Sequence, residues 1–405
     1  MKHSTKPYAK KIIPLVTLFA SSFATNVLAD DAAKNTSKFY GDFRLRFENV
    51  QQDNPLEDAD ALTLRSRIGF KTASYSGFSA LIEAEDVREI VDDFSVPPAG
   101  VRPGQFSVIA DPEGTEIDQA FVQYSNKQLN VKLGRQVFTL DGHRFIGHVG
   151  WRQDRQTFDG AVLNYKPSEK FNINVSYIDK RNRIFADEAD IDSEDMILNT
   201  SYKSAIGKVT AYAYLLEVDS AASNSIDTYG LSLVGSKSVA ANKFSYTVEY
   251  ASQEVNDSFD TDYLFLEGGF SFSEVAGGLT VKLGFESLGS DNGEQGFATP
   301  LATLHKFNGW SDQFLATPSQ GLEDLYFSLS GKALGGKWSA VYHDFSSDVS
   351  LGGNSDLGDE INLVYTRSFG DGFSGGVKFA DYSAGDSAFN KVDTQKSWVW
   401  ASYKF

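Results

Sequence analysis

Twelve of the thirteen arginines in this 405-residue chain lie between Arg44 and Arg183, and four recur at alternate positions, Arg44 with Arg46 and Arg65 with Arg67. A guanidinium keeps its charge at any working pH and grips a carboxylate through two parallel bonds. A patch of them is chemistry for holding carboxylated solutes. Lys71 and Lys132 share the same alternation phase, while Asp42, Glu48, Glu83 and Glu85 set acids on the same side. Two readings stay open: a cationic wall that attracts anions, or cross-strand ion pairs that neutralise the wall and stiffen it. A third joins them, with opposed cationic and anionic walls making a transverse field that orients dipolar solutes.

Residues 39–50 show what must carry these charges. Phe43, Leu45 and Phe47 alternate with Asp42, Arg44, Arg46 and Glu48, so an extended chain puts the apolar set on one face and the ionic set on the other. In the next segment Leu62, Leu64, Ile68 and Phe70 oppose Arg65, Arg67 and Lys71; in the third, Phe78, Ala80, Ile82 and Ala84 oppose Glu83 and Glu85. Further segments start near Thr115, Gln128, Gln156, Lys170, Asp195, Gly207, Ile226, Ala241, Asp262, Gly277, Glu323, Gly336, Gly358, Gly372 and Thr394, eighteen in all. Every second connection is short, as at 73–77, 125–128, 166–170, 203–207 and 369–372, whereas 88–114, 139–155 and 289–322 are long. Strands of about ten residues with turns sorted in this way are the pattern of an outer-membrane barrel. The predicted fold is all-β: a transmembrane antiparallel β-barrel of eighteen strands, apolar face to lipid and ionic face to the lumen. A barrel of 16–18 strands leaves an aqueous channel, so passive passage of hydrophilic solutes is the expected role.

The rest of the chain agrees. Residues 1–11 are basic, 12–24 mostly apolar, and Val27-Leu28-Ala29 supplies small residues for cleavage before Asp30; this reads as a secretory signal, leaving one barrel domain over 30–405. The formal charge of −17 becomes −21 once the leader's four lysines are removed, which makes nucleic acid a poor partner. There is no apolar run long enough for a spanning helix, and without cysteine there is neither a disulfide scaffold nor a thiol nucleophile. The final segment ends at Phe405, in phase with Val399, Ala401 and Tyr403. A terminal aromatic on a lipid-facing strand resembles the signal read by the barrel-assembly machinery. Expected partners are therefore outer-membrane lipid and lipopolysaccharide, that machinery through Phe405, and small anionic or saccharide solutes, with a monomer favoured.

Loops 139–155 and 289–322 are rich in Trp, Phe, Leu and His. Such residues need something to bury against, so both loops are expected to fold into the barrel mouth and bring Arg144, Arg152 and Arg155 to a constriction. Catalytic chemistry finds little support. His343 alternates inward with Val341 and Phe345, but neither a serine elbow nor a partnered carboxylate is identifiable. His143 and His148 are spaced without diagnostic meaning for a metal. The acidic run 187–195 lacks the central glycine of a calcium loop and reads as a solvated outer loop. No catalytic residue, metal or cofactor is expected.

Several motifs bear a family resemblance. Leu133-Gly134-Arg135-Gln136, the span from Asp141 to Arg144, Trp151-Arg152, and Gln156 to Gly160 follow in order, with ADPEGTEIDQAFVQY at 110–124 and TLHKFNGW at 303–310. Together they are similar to the alginate-export family of bacterial outer-membrane proteins. The resemblance implies an eighteen-stranded barrel with an arginine-rich lumen that passes anionic polysaccharide or related small acids, and it carries over Arg44, Arg46, Arg65, Arg67, Arg135 and Arg152 as lumen candidates. Arg135 shares the parity of lipid-facing Leu133, so it faces inward only if a bulge or the rim resets the phase. The chain departs from the family at Phe369-Gly-Asp-Gly372, a tight turn where the exporters carry a periplasmic plug. That departure favours uptake of small or oligomeric solutes over polymer export; a general porin is the remaining alternative, and an outer-membrane hydrolase a more distant one.

Overall fold

The computed structural model describes residues 35–96, 102–219, 224–275 and 277–405; the leader at 1–29 lies outside them. Eighteen described strands close into one antiparallel sheet. In chain order they are β1 Lys38–Gln52, β2 Ala59–Lys71, β3 Phe78–Asp93, β4 Gly114–Ser125, β5 Leu129–Gln136, β6 Thr157–Tyr165, β7 Phe171–Asn182, β8 Ile191–Ser204, β9 Gly207–Glu217, β10 Ser225–Val239, β11 Asn242–Val255, β12 Phe259–Phe272, β13 Leu279–Leu288, β14 Leu322–Ala333, β15 Gly336–Leu351, β16 Asn354–Gly370, β17 Phe373–Ser383 and β18 Thr394–Lys404. Their starts fall within four residues of the positions read from alternation. Sequence neighbours pair throughout, and β1 also pairs with β18, from Asp42 opposite Lys404 to Gln52 opposite Thr394. Closure leaves no unpaired edge.

The alternation sorts the side chains as the residue types demand. Leu45, Phe47, Ile68, Phe70 and Val399 are exposed on the outside, while Arg44, Arg46, Glu48, Arg65, Arg67, Glu83 and Glu85 are buried within. An exposed apolar band of this kind is stable only against lipid. No helix among the described residues is long and apolar enough to cross a membrane; the strands are the crossing elements. At the seam the Phe405 amide donates to Gly41 O at 3.1 Å, and its ring lies among Phe39, Phe43 and Tyr403. Within the wall, glycine faces tyrosine across the ladder, as in Gly69 opposite Tyr40 and Gly284 opposite Tyr326. A Cβ at Gly284 would sit 2.2 Å from the Tyr326 ring; the ring covers bare backbone where the sheet curves.

Two expectations need correction. The sorting of connections by length is not strict, since 256–258 and 352–353, at the same end as the long loops, are tight turns. There the strands themselves run long and build the rim. The acidic run 187–195 is not wholly a solvated loop, because β8 begins at Ile191. Its Ser193 and Asp195 take the inward phase, and Asp195 is buried against Arg181, with Nε at 2.9 Å and Nη2 at 2.6 Å.

The apolar core lies inside the barrel. Phe138 and Ile146, with Phe297, Leu301 and Phe314, pack against Tyr212, Tyr263 and Phe345 of the wall. The first two come from the connection at 137–156, the next three from 289–321.

Candidate functional site

Arginine holds the 137–156 loop inside the barrel by its carbonyls. Arg44 donates from Nη2 to Trp151 O at 2.8 Å and Arg152 O at 2.5 Å, and from Nε to Gln153 Oε1 at 2.8 Å. Arg46 also binds Trp151 O and closes on Asp111. Arg67 reaches Gln153 O at 3.1 Å while holding Glu85. Arg44 and Arg65 stand directly opposite each other on β1 and β2, an arrangement that is unfavourable for bare like charges. Arg65 is balanced by Asp42 at 2.6 Å. Arg44 has no ion pair among the described residues, and the loop's carbonyl dipoles take that part. Hydrogen bonds to a charged group contribute about 1.5–3 kcal/mol each, so these few side chains suffice to fix the loop.

The loop's own cations reach outward. Arg155 binds Glu83 and Asp118, each at 2.5 Å. Arg144 binds Glu286 at 2.8 Å and Asn308 at 3.1 Å. Arg152 joins three elements, with Glu48 of β1 at 3.1 Å and Asp312 of the 289–321 loop at 2.8 Å. That second loop is docked in turn: Glu360 accepts the Trp310 amide at 2.5 Å and the Ser311 amide at 2.9 Å, and Lys396 binds Asp312 at 2.8 Å. The two loops also meet directly, the Gly147 amide donating to Leu301 O at 2.7 Å and the Thr303 amide to His143 O at 3.0 Å.

His305 sits at the centre of this layer, with Nδ1 2.6 Å from Asp312 and Nε2 2.6 Å from the Lys378 ammonium. Burial holds its imidazole down to about 3, Asp312 opposing that shift and the Lys378 charge adding to it. The ring is therefore neutral, donating from Nδ1 and accepting at Nε2. The Lys378 ammonium also lies 4.2 Å from the centre of the Trp151 ring, 3.9 Å from Trp310 and 5.0 Å from Trp398. Aromatic faces on three elements stabilise that one charge.

Two cavities flank the layer. One of about 260 Å³ opens among loop residues, with Ile184, Phe185 and Leu315 on its sides and Arg152, His305, Asp312 and Arg183 around it. Arg183 has no ion pair among the described residues. The other, about 680 Å³, extends toward the short-turn end and is lined by Arg144, Lys282 and Lys306, by Glu249, Glu267 and Glu286, and by Tyr214, Tyr263, Tyr326 and Trp310.

Of the residues singled out from the sequence, Arg44, Arg46, Arg65, Arg67, Glu83, Glu85, Arg144, Arg152 and Arg155 are brought together. Three are not. Lys71 is exposed at the last position of β2. Lys132 lies 4.6 Å from the centre of the Phe121 ring, away from the loops. Arg135 keeps the parity of exposed Leu133 and holds Asp159 at 2.9 and 3.1 Å; β5 pairs on both sides without a register shift, so nothing resets its phase. His343 does have a carboxylate partner, Asp324 at 2.9 Å, placed diagonally on the neighbouring strand. His143 and His148 meet edge-on, ring centres 5.4 Å apart. Lys378, Lys396, Trp398 and Trp400 were legible as inward positions of β17 and β18. Asp312 and Arg183, outside any alternating segment, gave no signal.

Comparison with known proteins adds three findings. A family model described as alginate export matches residues 33–265. No curated protein matches the chain by sequence. Solved structures are similar in fold: Pseudomonas aeruginosa OccK9 (OpdG), 12% identical with a TM-score of 0.71 over 91% of this chain and 98% of that one; Acinetobacter baumannii OccAB1, 10% identical with 0.69 over 92% and 98%; and Pseudomonas aeruginosa OccK11 (OpdR), 13% identical with 0.66 over 91% and 96%.

Proposed function

The chain belongs to the alginate-export family and is a porin-like channel of the bacterial outer membrane; on that premise we propose that it passes small carboxylated solutes, uronates or short oligouronates, through its arginine-lined lumen. The position of Arg152 carries this reading. It borders the smaller cavity and is held by the Asp312 carboxylate of the second loop. A solute carboxylate is the same ligand as Asp312 and can take its place on Arg152 and Lys396; a neutral or cationic solute cannot. Arg183 offers the first contact at the mouth. In a narrow, poorly screening lumen each charge weighs more than on an open surface. Beyond the layer, the larger cavity sets tyrosine faces beside paired charges, a lining suited to sugar rings that carry acids.

Reversal potentials in planar bilayers test the reading. Anion preference and block by oligouronates are expected, both reduced in Arg152→Gln. A wild-type channel that shows neither is a general porin. That second reading is favoured by the pairing of Arg65 with Asp42, Arg67 with Glu85 and Arg155 with Asp118, which leaves little free positive charge on the β1–β4 wall. Polymer export is disfavoured by the two docked loops and by the tight 371–372 turn.

A further inference from the structure

Glu85 of β3, Glu116 of β4 and Asp154 of the 137–156 loop each bring one carboxylate oxygen within 4.8 Å of the others. Glu85 and Asp154 are only 2% and 4% exposed. One oxygen of each is occupied: Glu85 Oε2 by Arg67 Nε, and Asp154 Oδ2 by the Ala186 amide at 3.1 Å. The other oxygens, Glu85 Oε1 and Asp154 Oδ1, meet no N–H or hydroxyl donor among the described residues; the Glu116 carboxyl lies within hydrogen-bonding reach of Asp154. A buried carboxylate oxygen left bare is costly and calls for a ligand. Charge points the same way. Glu83 and Asp118 add two acids to this patch, and the described ion pairs facing it come from Arg67 and Arg155. Arg65 and Arg135 also face Glu85 and Glu116, but each is already paired outside the cluster, with Asp42 and Asp159, so five carboxylates are left against the two guanidiniums of Arg67 and Arg155.

We propose that Glu85, Glu116 and Asp154 form a binding site for a hard divalent cation, calcium by preference, that ties the 137–156 loop to the barrel wall. Calcium takes oxygen donors only, at about 2.3–2.6 Å, in irregular arrangements. Oxygens sharing one such ion lie no more than about 5 Å apart, which the cluster satisfies. Magnesium demands near-octahedral order, which donors from two strands and a loop are poorly placed to supply. Two positive charges would offset most of the excess acid, and half-buried Glu116 gives the ion a route from the lumen water. The proposal does not depend on which solute the channel passes.

The test uses the full mature barrel, refolded free of lipopolysaccharide, stripped with EDTA and titrated with calcium chloride by calorimetry. One calcium per barrel is expected, together with a calcium-dependent rise in unfolding temperature. The double variant Glu116→Gln/Asp154→Asn should bind at least tenfold more weakly and lose that rise; Glu85 is left in place because it holds Arg67. If the double variant does not fold, Glu116→Gln alone is read the same way. Equal binding by variant and wild type would put the calcium elsewhere and overturn the proposal. So would a wild-type barrel that takes up no calcium at millimolar concentration, or one whose infrared spectrum shows a protonated carboxyl abolished by Asp154→Asn, since the carboxylates would then share a proton instead.

Discussion

Most of the guanidiniums facing this lumen are not charges on offer. Arg65 is tied to partly buried Asp42 and Arg67 to buried Glu85, Arg44 is wrapped by loop carbonyls, and Arg46 is held by Trp151 O, Asp111 and Glu48. Removing one partner of a buried pair typically costs about 3–5 kcal/mol, because the other charge is stranded. Arg65→Gln with Arg67→Gln should therefore lower the unfolding temperature of the barrel markedly while shifting ion selectivity less than Arg152→Gln does. Melting curves and reversal potentials on the same preparations check both halves. His305 adds a pH dependence. Its folded value of about 3 lies below the ordinary histidine value of 6.5. Between those two pH values the unfolded chain takes up a proton that the folded barrel refuses, so stability contributed above pH 6.5 is lost as pH falls toward 3. Wild type should lose more unfolding temperature between pH 7 and pH 4 than His305→Gln; equal losses would assign the acid sensitivity to other groups.

The two inserted loops act as one device because they touch. At Gly147 a Cβ would lie 2.2 Å from Thr303 Oγ1 and 2.6 Å from the Thr303 amide nitrogen, so only a bare α-carbon lets the loops approach. Gly147→Ala should separate them, lowering thermal stability and making single-channel current noisier. Deleting 293–319 goes further. It removes Asp312, His305 and Trp310 from the central layer and should raise single-channel conductance severalfold in any variant that still migrates as a folded barrel. Unchanged conductance would mean that the ion path bypasses this loop.

Closure between β1 and β18 makes the barrel a single cooperative object, and it also sets which connections share an end. With an even number of strands the start of β1 and the end of β18 share the short-turn end, expected to be periplasmic. Cysteines placed at exposed Asp58 and Asn292 should react with impermeant reagent on intact cells, and one at exposed Gly335 should not. Labelling at Gly335 alone would invert the topology. Phe405 completes the seam from outside, where its ring covers Phe39 and Phe43. Removing it should reduce the amount of barrel reaching the outer membrane, measured against total protein synthesised.

The barrel was written locally. Alternation of Leu45 and Phe47 with Arg44 and Arg46 is a property of adjacent residues, and a period of two in an extended chain sorts the faces whatever the rest does. Strand number, phase and seam therefore follow from short stretches of sequence, as does the inward aim of Arg44, Arg46, Arg65, Arg67, Glu83 and Glu85. The aromatic content of 139–155 and 289–322 announced that these loops must bury something. What they bury against was not legible. The Arg44 bonds to Trp151 and Gln153 and the Arg152 bond to Asp312 join residues more than a hundred positions apart, and no local pattern selects one acceptor from many. Whether an inward arginine meets a solute, an acid or a carbonyl is a matter of distances that arise only when the loops return into the closed barrel, because side-chain charge is set by residue type but its neutralisation by what lies within about 4 Å.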